Sequence, residues 1–296
     1  MIHTTVLLKE SIDGLDIHPG DIYLDGTLGS AGHAEYALQK TKGDLKVIGL
    51  DRDIDALARS RQRLSEYKNI TFIESSYGDL NSVLDELGIP HVNRIMLDLG
   101  LSSDQFETSG RGFTFKNDES LLMTFKKDPG EGDLTAYQIV NTWKEGNIAD
   151  VIYGYGEERY SRRIAHAIVV YREKKKIEKT TELAEIIQQA VPFFYRRGKI
   201  HPSTRTFQAL RIAVNDELNT LKRGLKDGFG RLASRGRMAV ISFHSLEDRI
   251  VKNFNKEKEE AGLAKIITKK PIIPTILEIK ENPRARSAKL RIIEKR

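Results

Sequence analysis

The chain has 296 residues, 39% of them hydrophobic, enough for two domains or one large domain carrying an insertion. It has no cysteine, which excludes disulfides, thiolate metal sites, iron–sulfur clusters and cysteine nucleophiles. No apolar stretch approaches the roughly 20 residues of a membrane helix. The opening run Val6-Leu7-Leu8 stops at Lys9, so no signal peptide is expected, and the chain is expected to be a cytoplasmic, soluble protein.

Between residues 22 and 98, short β-rich runs alternate with helical stretches. Ile22-Tyr23-Leu24 leads into a glycine-rich turn and a helix over Ala34 to Lys40. Val47-Ile48-Gly49-Leu50 precedes a helix over Asp55 to Tyr67. Ile70-Thr71-Phe72-Ile73 precedes a helix over Leu80 to Leu87, and Ile95-Met96-Leu97 is a fourth strand. This alternation predicts βαβ units, right-handed crossovers and an α/β fold with a parallel sheet.

The next convincing strand, Met238 to Phe243, begins 138 positions after Gly100, whereas a crossover needs only about a dozen residues. The surplus predicts an inserted helical domain over 106–212, leaving 1–105 and 213–296 as one discontinuous domain. Within the insertion, Thr181 is the expected cap of a helix that ends before Pro192. A single long helix is expected after Pro202, because Phe207, Leu210, Val214, Leu218 and Leu221 recur at helical spacing. Lys265-Ile266-Ile267 and Leu290-Arg291-Ile292-Ile293 are expected to close the sheet, with a hairpin as one way of pairing them.

Charge separates the same regions. The net charge is +6, yet residues 1–105 hold 10 Lys/Arg against 17 Asp/Glu, while residues 159–211 hold 13 against 4. A charge run is commonly a solvated helix face, but concentration in one block points to an anionic partner such as nucleic acid. Arg162, Arg163, Arg172, Lys174, Lys175, Lys176, Arg196, Arg197, Lys199 and Arg205 are the candidate phosphate contacts. Tyr160, Tyr171, Phe194 and Tyr195 are interleaved with them and could stack on bases, although each is also a natural core or rim residue.

The loop Asp25-Gly26-Thr27-Leu28-Gly29-Ser30-Ala31-Gly32-His33 lies between the first strand and first helix, where open α/β sheets bind ligands. Its glycines permit close backbone approach. Their spacing is not that of a dinucleotide binder, and a leading acid would repel a pyrophosphate. Asp25 instead suits a cation-bearing ligand such as S-adenosylmethionine. Asp51, ending the second strand, can accept two ribose hydroxyls; Tyr77 can pack on adenine; and Asp98 ends the fourth strand near the reacting end. An Asp after a strand often merely caps a helix, but acids ending successive strands form a pattern. Without a thiolate, methylation of pyrimidine C5 is disfavoured, leaving a nitrogen or oxygen acceptor.

Several segments together resemble the bacterial ribosomal small-subunit methyltransferase H family, the 16S rRNA cytosine-N4 methyltransferases. They are His3 to Leu8, Asp25 to His33, Leu50 to Asp53, Leu97-Asp98-Leu99-Gly100-Leu101-Ser102-Ser103, Gly110 to Phe113 and Tyr155 to Glu158. They continue with His201 to Arg211, Ser242-Phe243-His244-Ser245-Leu246-Glu247-Asp248-Arg249, and Asn282-Pro283-Arg284-Ala285-Arg286-Ser287. The resemblance implies a class I, Rossmann-like S-adenosylmethionine-dependent methyltransferase sheet with a helical substrate-recognition domain inserted after the fourth strand. It implies methylation of the exocyclic amine of a decoding-centre cytosine near the P-site. It implies cofactor contacts at Ala31, Gly32, His33, Asp51, Tyr77, Asp98 and Gln105.

Two segments depart from the family pattern. Ala31 stands where Gly is common, and Leu122 and Thr124 replace an acid and a base in Leu121-Leu122-Met123-Thr124-Phe125. The second departure supports the rival reading of a non-catalytic rRNA-binding assembly factor that retains the cofactor pocket. A nicotinamide-dependent oxidoreductase is the other rival, and the glycine spacing and Asp25 argue against it.

For the reaction itself, Asp98 is the candidate acceptor of the amine proton, although holding the cofactor is the favoured role. Ser102 and Ser103 would either bond the base or cap the following turn. His244, after a strand on the ligand side, joins Arg162, Arg163, Arg196, Arg197, Lys199 and Arg205 as a substrate-binding candidate. His33, Asp51 and Asp53 match no ligand spacing, so no catalytic metal is expected. The expected partner is 16S rRNA in a partly assembled small subunit, since a base in folded RNA must be splayed out to react. Oligomeric state is left open, a homodimer included.

Overall fold

The computed structural model describes residues 5–100 and 109–296. The expected contacts at Gln105, Ser102 and Ser103 lie outside the described residues. By contacts the chain divides into two compact units, Met1–Gly100 with Leu218–Arg296, and Leu101–Glu217.

The first unit is built on seven strands: β1 (Ile22–Asp25), β2 (Lys46–Asp51), β3 (Ile70–Glu74), β4 (Val92–Asp98), β5 (Leu232–Ser242), β6 (Ala264–Ile266) and β7 (Lys289–Lys295). Their spatial order is β3-β2-β1-β4-β5-β7-β6. β1 to β5 pair in parallel, and β7 runs antiparallel to both β5 and β6. The chain therefore leaves β1 toward one edge and returns at β4 toward the other, so β1 and β4 flank the switch point of the sheet. β6 and β7 are neighbours, but residues 267–288 join them rather than a tight turn. That segment holds a short helix, Ile276–Glu281, and a 3₁₀ turn, Pro283–Ser287.

Burial explains why these strands read as continuous apolar runs. Tyr23, Val47, Met96 and Ala239 enter one core cluster, whereas their chain neighbours Leu24, Ile48, Leu97 and Val240 enter another. Alternate residues point to opposite faces, and both faces are covered. The first face packs α1 (Leu8–Leu15), a helix the sequence reading did not foresee, and α2 (Gly32–Lys40). α3 (Ile54–Arg63) sends Leu57 into the same cluster. α4 (Leu80–Glu86) contributes Leu80, Val83 and Leu84 to the other.

The second unit is helical among its described residues. It contains α5 (Ala136–Thr142), α6 (Glu145–Gly156), α7 (Ser161–Arg172), α8 (Thr180–Ala190), α9 (Phe193–Arg196) and α10 (Ser203–Asn215). They enclose their own core, with Ile139, Ile152, Ile164, Ile168, Leu183 and Leu210 all fully buried. α6 and α10 approach so closely that a Cβ on Gly156 would lie 2.6 Å from the Arg205 carbonyl oxygen.

Two expectations are corrected here. Thr181 does not cap α8. The helix starts one residue earlier, the Glu182 carboxylate accepts the Lys179 and Glu178 amides, and the Thr181 hydroxyl instead donates to Asp118. The long helix after Pro202 is two helices. Asp216 takes left-handed angles, φ 49°, after which α11 (Glu217–Arg231) begins. The apolar stripe runs unbroken across that break, but Phe207 and Leu210 serve the helical core while Leu221 and Leu225 serve the sheet. Among the described residues no helix is long and apolar enough to cross a membrane.

Candidate functional site

The carboxyl ends of β1, β2 and β4 bring Asp25, Asp51 and Asp98 to one side of the sheet. Backbone bonds fix the connecting loop: Gly26 N–H donates to the Met96 carbonyl at 2.9 Å, and Leu28 N–H to the Leu50 carbonyl at 2.9 Å. Gly26 has no room for a side chain, since a Cβ there would lie 2.6 Å from Leu97 Cδ2 and 2.9 Å from Tyr77 Cβ.

Each acid has its own surroundings. Asp25 is 1% exposed and accepts the Tyr23 hydroxyl at 3.1 Å and the Thr27 amide at 3.2 Å. Burial, with the Asp51 charge adding to it, outweighs those bonds and pushes its carboxyl up to about 7. Burial and the Asp25 charge push Asp98 up to about 7 as well, with Glu247 adding to the effect. Asp98 Oδ1 is buried and has no hydrogen-bond partner among the described residues. An unpartnered buried carboxylate oxygen is costly, and a cation placed beside it would remove the cost. The acids and this orphaned oxygen fit a positively charged ligand.

Asp51, like Asp25 and unlike Asp98, accepts a hydrogen bond on each of its two oxygens. Gly29 N–H donates to Oδ2 at 2.8 Å and Asp53 N–H to Oδ1 at 2.9 Å, which leaves further lone pairs for hydroxyls. Burial nonetheless raises its pKa. Asp53 caps α3 by accepting the Asp55 amide at 3.0 Å. Ala31, fully buried at φ 60°, precedes α2, and Gly32 opens that helix. Ala31 thus takes the conformation for which a glycine is easiest. The His33 ring lies 3.2 Å from the Val6 carbonyl oxygen. Tyr77 lies in the 3₁₀ turn after β3, with its ring edge over Gly224 of α11.

His244 is the N-cap of α12 (Ser245–Glu260). Its Nε2 lies 3.1 Å from Glu247 Oε1, and Glu247 Oε2 accepts the Phe243 amide at 2.8 Å. Its ring therefore serves the helix start.

The basic candidates in the helical unit divide by what they touch. Arg196 donates to the Val191 and Gln189 carbonyls, Arg205 to the Glu157 carbonyl, and Arg172 to the Val140 and Trp143 carbonyls. These three close helix ends. Arg162, Arg163, Arg197 and Lys199 are exposed. Arg197 lies 4.4 Å from the Phe193 ring centroid and Arg163 6.0 Å from that of Tyr160. Phe193 and Phe194 are 63% and 67% exposed, whereas Tyr160, Tyr171 and Tyr195 pack against the helical core. Thr124 Oγ accepts the Lys126 amide two residues on, while the Leu122 carbonyl accepts the Ala136 amide at the start of α5.

The sequence reading missed the Tyr23 hydroxyl on Asp25 and the Thr27 hydroxyl on the Asp98 amide. The signal for Tyr23 was its place two residues before Asp25, on the same side of the strand.

Comparison with known proteins follows the same lines. The MraW methylase family matches residues 1–296. A protein of Sulfurihydrogenibium sp. (strain YO3AOP1), named ribosomal RNA small subunit methyltransferase H, is 47% identical over 291 residues, 98% of each chain. The crystal structure of an rRNA methylase from Streptococcus thermophilus is 12% identical, with a TM-score of 0.47, covering 100% of this chain and 98% of that one.

Proposed function

The chain belongs to the MraW methylase family, and on that premise we propose that it methylates the exocyclic N4 of a cytosine in the decoding centre of 16S rRNA. The methyl donor is S-adenosylmethionine, and the substrate is the small ribosomal subunit, partly or fully assembled. The rRNA substrate is supported by the name of the 47% identical relative. The exact cytosine rests on the family resemblance.

The observation that carries the reading is the buried Asp98 Oδ1, without a hydrogen-bond partner among the described residues, beside Asp25 at the switch point of the sheet. When bound, S-adenosylmethionine supplies an electrophilic methyl on a sulfonium sulfur. Asp25 and Asp98 offer negative charge to a cationic ligand, and Asp51 has lone pairs left for ribose hydroxyls. Gly29 to Gly32 let the backbone approach closely, and Tyr77 offers an aromatic surface. Gln105 completes the proposed donor contacts, and the exposed Arg162, Arg163, Arg197 and Lys199 neutralise phosphates.

The cytosine amine is a weak nucleophile because its lone pair is delocalised into the ring. Holding it in line with the methyl supplies much of the rate. Asp98, pushed up to about 7, could accept the amine proton at neutral pH. One carboxylate seldom serves both ends of a reaction, and we assign Asp98 to the donor.

The test is incubation of the protein with labelled donor and small subunits from cells lacking it, followed by mass spectrometry of decoding-centre nucleosides. N4-methylcytidine is the expected product. Donor binding without label transfer would instead favour a non-catalytic assembly factor, and label on another nucleoside would move the target.

A further inference from the structure

Two segments far apart in the chain, Ser242 to Arg249 and Asn282 to Ser287, line one cavity of about 270 Å³. The first contributes Phe243 and Ser245, the second Arg286 and Ser287, and the intervening segment Ile273 and Ile279. Pairing of β5 with β7, in which Ser242 faces Lys289, brings them together. Asp248 clamps the join, accepting from Arg291 Nε at 2.7 Å and Lys289 Nζ at 3.1 Å.

We propose that this cavity seats the target nucleotide of the RNA, its base against Phe243 and Ile273 and its phosphate on Arg286. The inference deepens the rRNA methyltransferase reading and rests on it.

Three observations carry the assignment. The first is position. A Cβ on Gly100, two residues beyond Asp98, would lie 2.7 Å from the Phe243 ring, so the ring that walls the cavity borders the end of β4. The second is chemistry. Apolar walls meet a polar end formed by Ser245, Ser287 and Arg286, matching a flat base joined to an anion. Lys289 and Arg291 are neutralised by Asp248, whereas Arg286 is exposed and makes no ion pair or hydrogen bond with a described residue. The third is size. The cavity lies just below the roughly 300–1,000 Å³ of common ligand sites, room for one nucleotide and not a helix. The target must then leave its stack to enter. Ile276 and Leu277 stay 77% and 65% exposed on the short helix between the cavity walls Ile273 and Ile279, giving neighbouring unpaired bases an apolar surface.

Methyl transfer to small subunits, measured against both substrate and donor concentration, tests the assignment. Arg286→Ala should raise the KM for subunits about tenfold, the worth of one charge-assisted phosphate contact, and Arg286→Lys should restore much of it. Ser287→Trp, which fills the cavity from its exposed rim, should lower kcat/KM for subunits by about a hundredfold or more. Donor affinity and the unfolding midpoint should stay at wild-type values in all three. Subunit kinetics within about twofold of wild type, or a loss of donor affinity, would overturn the assignment. If the wild-type protein transfers no label to rRNA, the functional reading fails, and calorimetry with cytidine 5′-monophosphate then judges the cavity alone. Binding by wild type that Ser287→Trp abolishes keeps the cavity as a nucleotide site; no binding by wild type removes it.

Discussion

The Asp98 amide donates to Thr27 Oγ at 2.6 Å, joining the loop after β1 to the last residue of β4 across the switch point of the sheet. That bond fixes the backbone from which the Asp98 carboxylate projects. Thr27→Val keeps the shape and removes the acceptor, leaving a buried N–H without one. A loss of about 1–3 kcal/mol in stability is expected, with a weaker affinity for the methyl donor, while Thr27→Ser retains both. Urea unfolding and calorimetry measure the two effects, and a Val variant indistinguishable from wild type would show the bond to be incidental.

Asp25 and Asp98 give the protein a distinctive pH response. Burial raises both from an ordinary Asp value of 3.8 to about 7. Between those values the folded chain holds more protons than the unfolded one, so stability falls as pH rises through that window. Below it both states are protonated and no penalty exists; above it the cost of the buried charges is present in full. Asp25→Asn and Asp98→Asn should each flatten the decline. A cationic donor prefers the ionised acids, so donor binding should tighten from pH 6 to 8 and release protons. Calorimetry in buffers of unequal ionisation enthalpy reads that release directly.

The basic residues of the helical unit should separate into two classes. Arg162→Ala with Arg163→Ala should weaken binding to rRNA and lower its salt dependence by roughly one unit of log–log slope per lost phosphate contact, leaving the melting temperature unchanged. Arg205→Ala should lower the melting temperature, because the Glu157 carbonyl at the end of α6 loses its donor at 3.1 Å. Equal effects of both changes on stability would contradict the division.

Tyr195 is expected to be structural. Its hydroxyl donates at 2.5 Å to Glu158, a carboxylate that is fully buried. Burial, with the adjacent Glu158 carboxylate adding to it, pushes the phenol up to about 12, so it keeps its proton throughout the working pH range. Tyr195→Phe strips a donor from a buried carboxylate and should cost about 1–3 kcal/mol. The urea midpoint of the variant measures it. Loss of RNA binding with unchanged stability would point to stacking instead.

Much of the fold was readable from local pattern. Strands covered on both faces must be apolar at every position, and Val47 to Leu50 and Ile95 to Leu97 are such runs, so the alternation of strand and helix and the parallel sheet followed. Acids ending those strands were legible for the same reason, since the strand ends are sequence landmarks. What periodicity could not carry was the single left-handed residue, Asp216, that divides one apolar stripe between two cores. Nor could it tell Arg205, which closes a helix, from Arg162, which faces solvent. The shifted pKa values of Asp25 and Asp98 and the cavity between Phe243 and Arg286 depend on water being excluded by segments remote in the chain. Side-chain spacing along the chain records local propensity, but desolvation and long-range pairing exist only once those segments have packed.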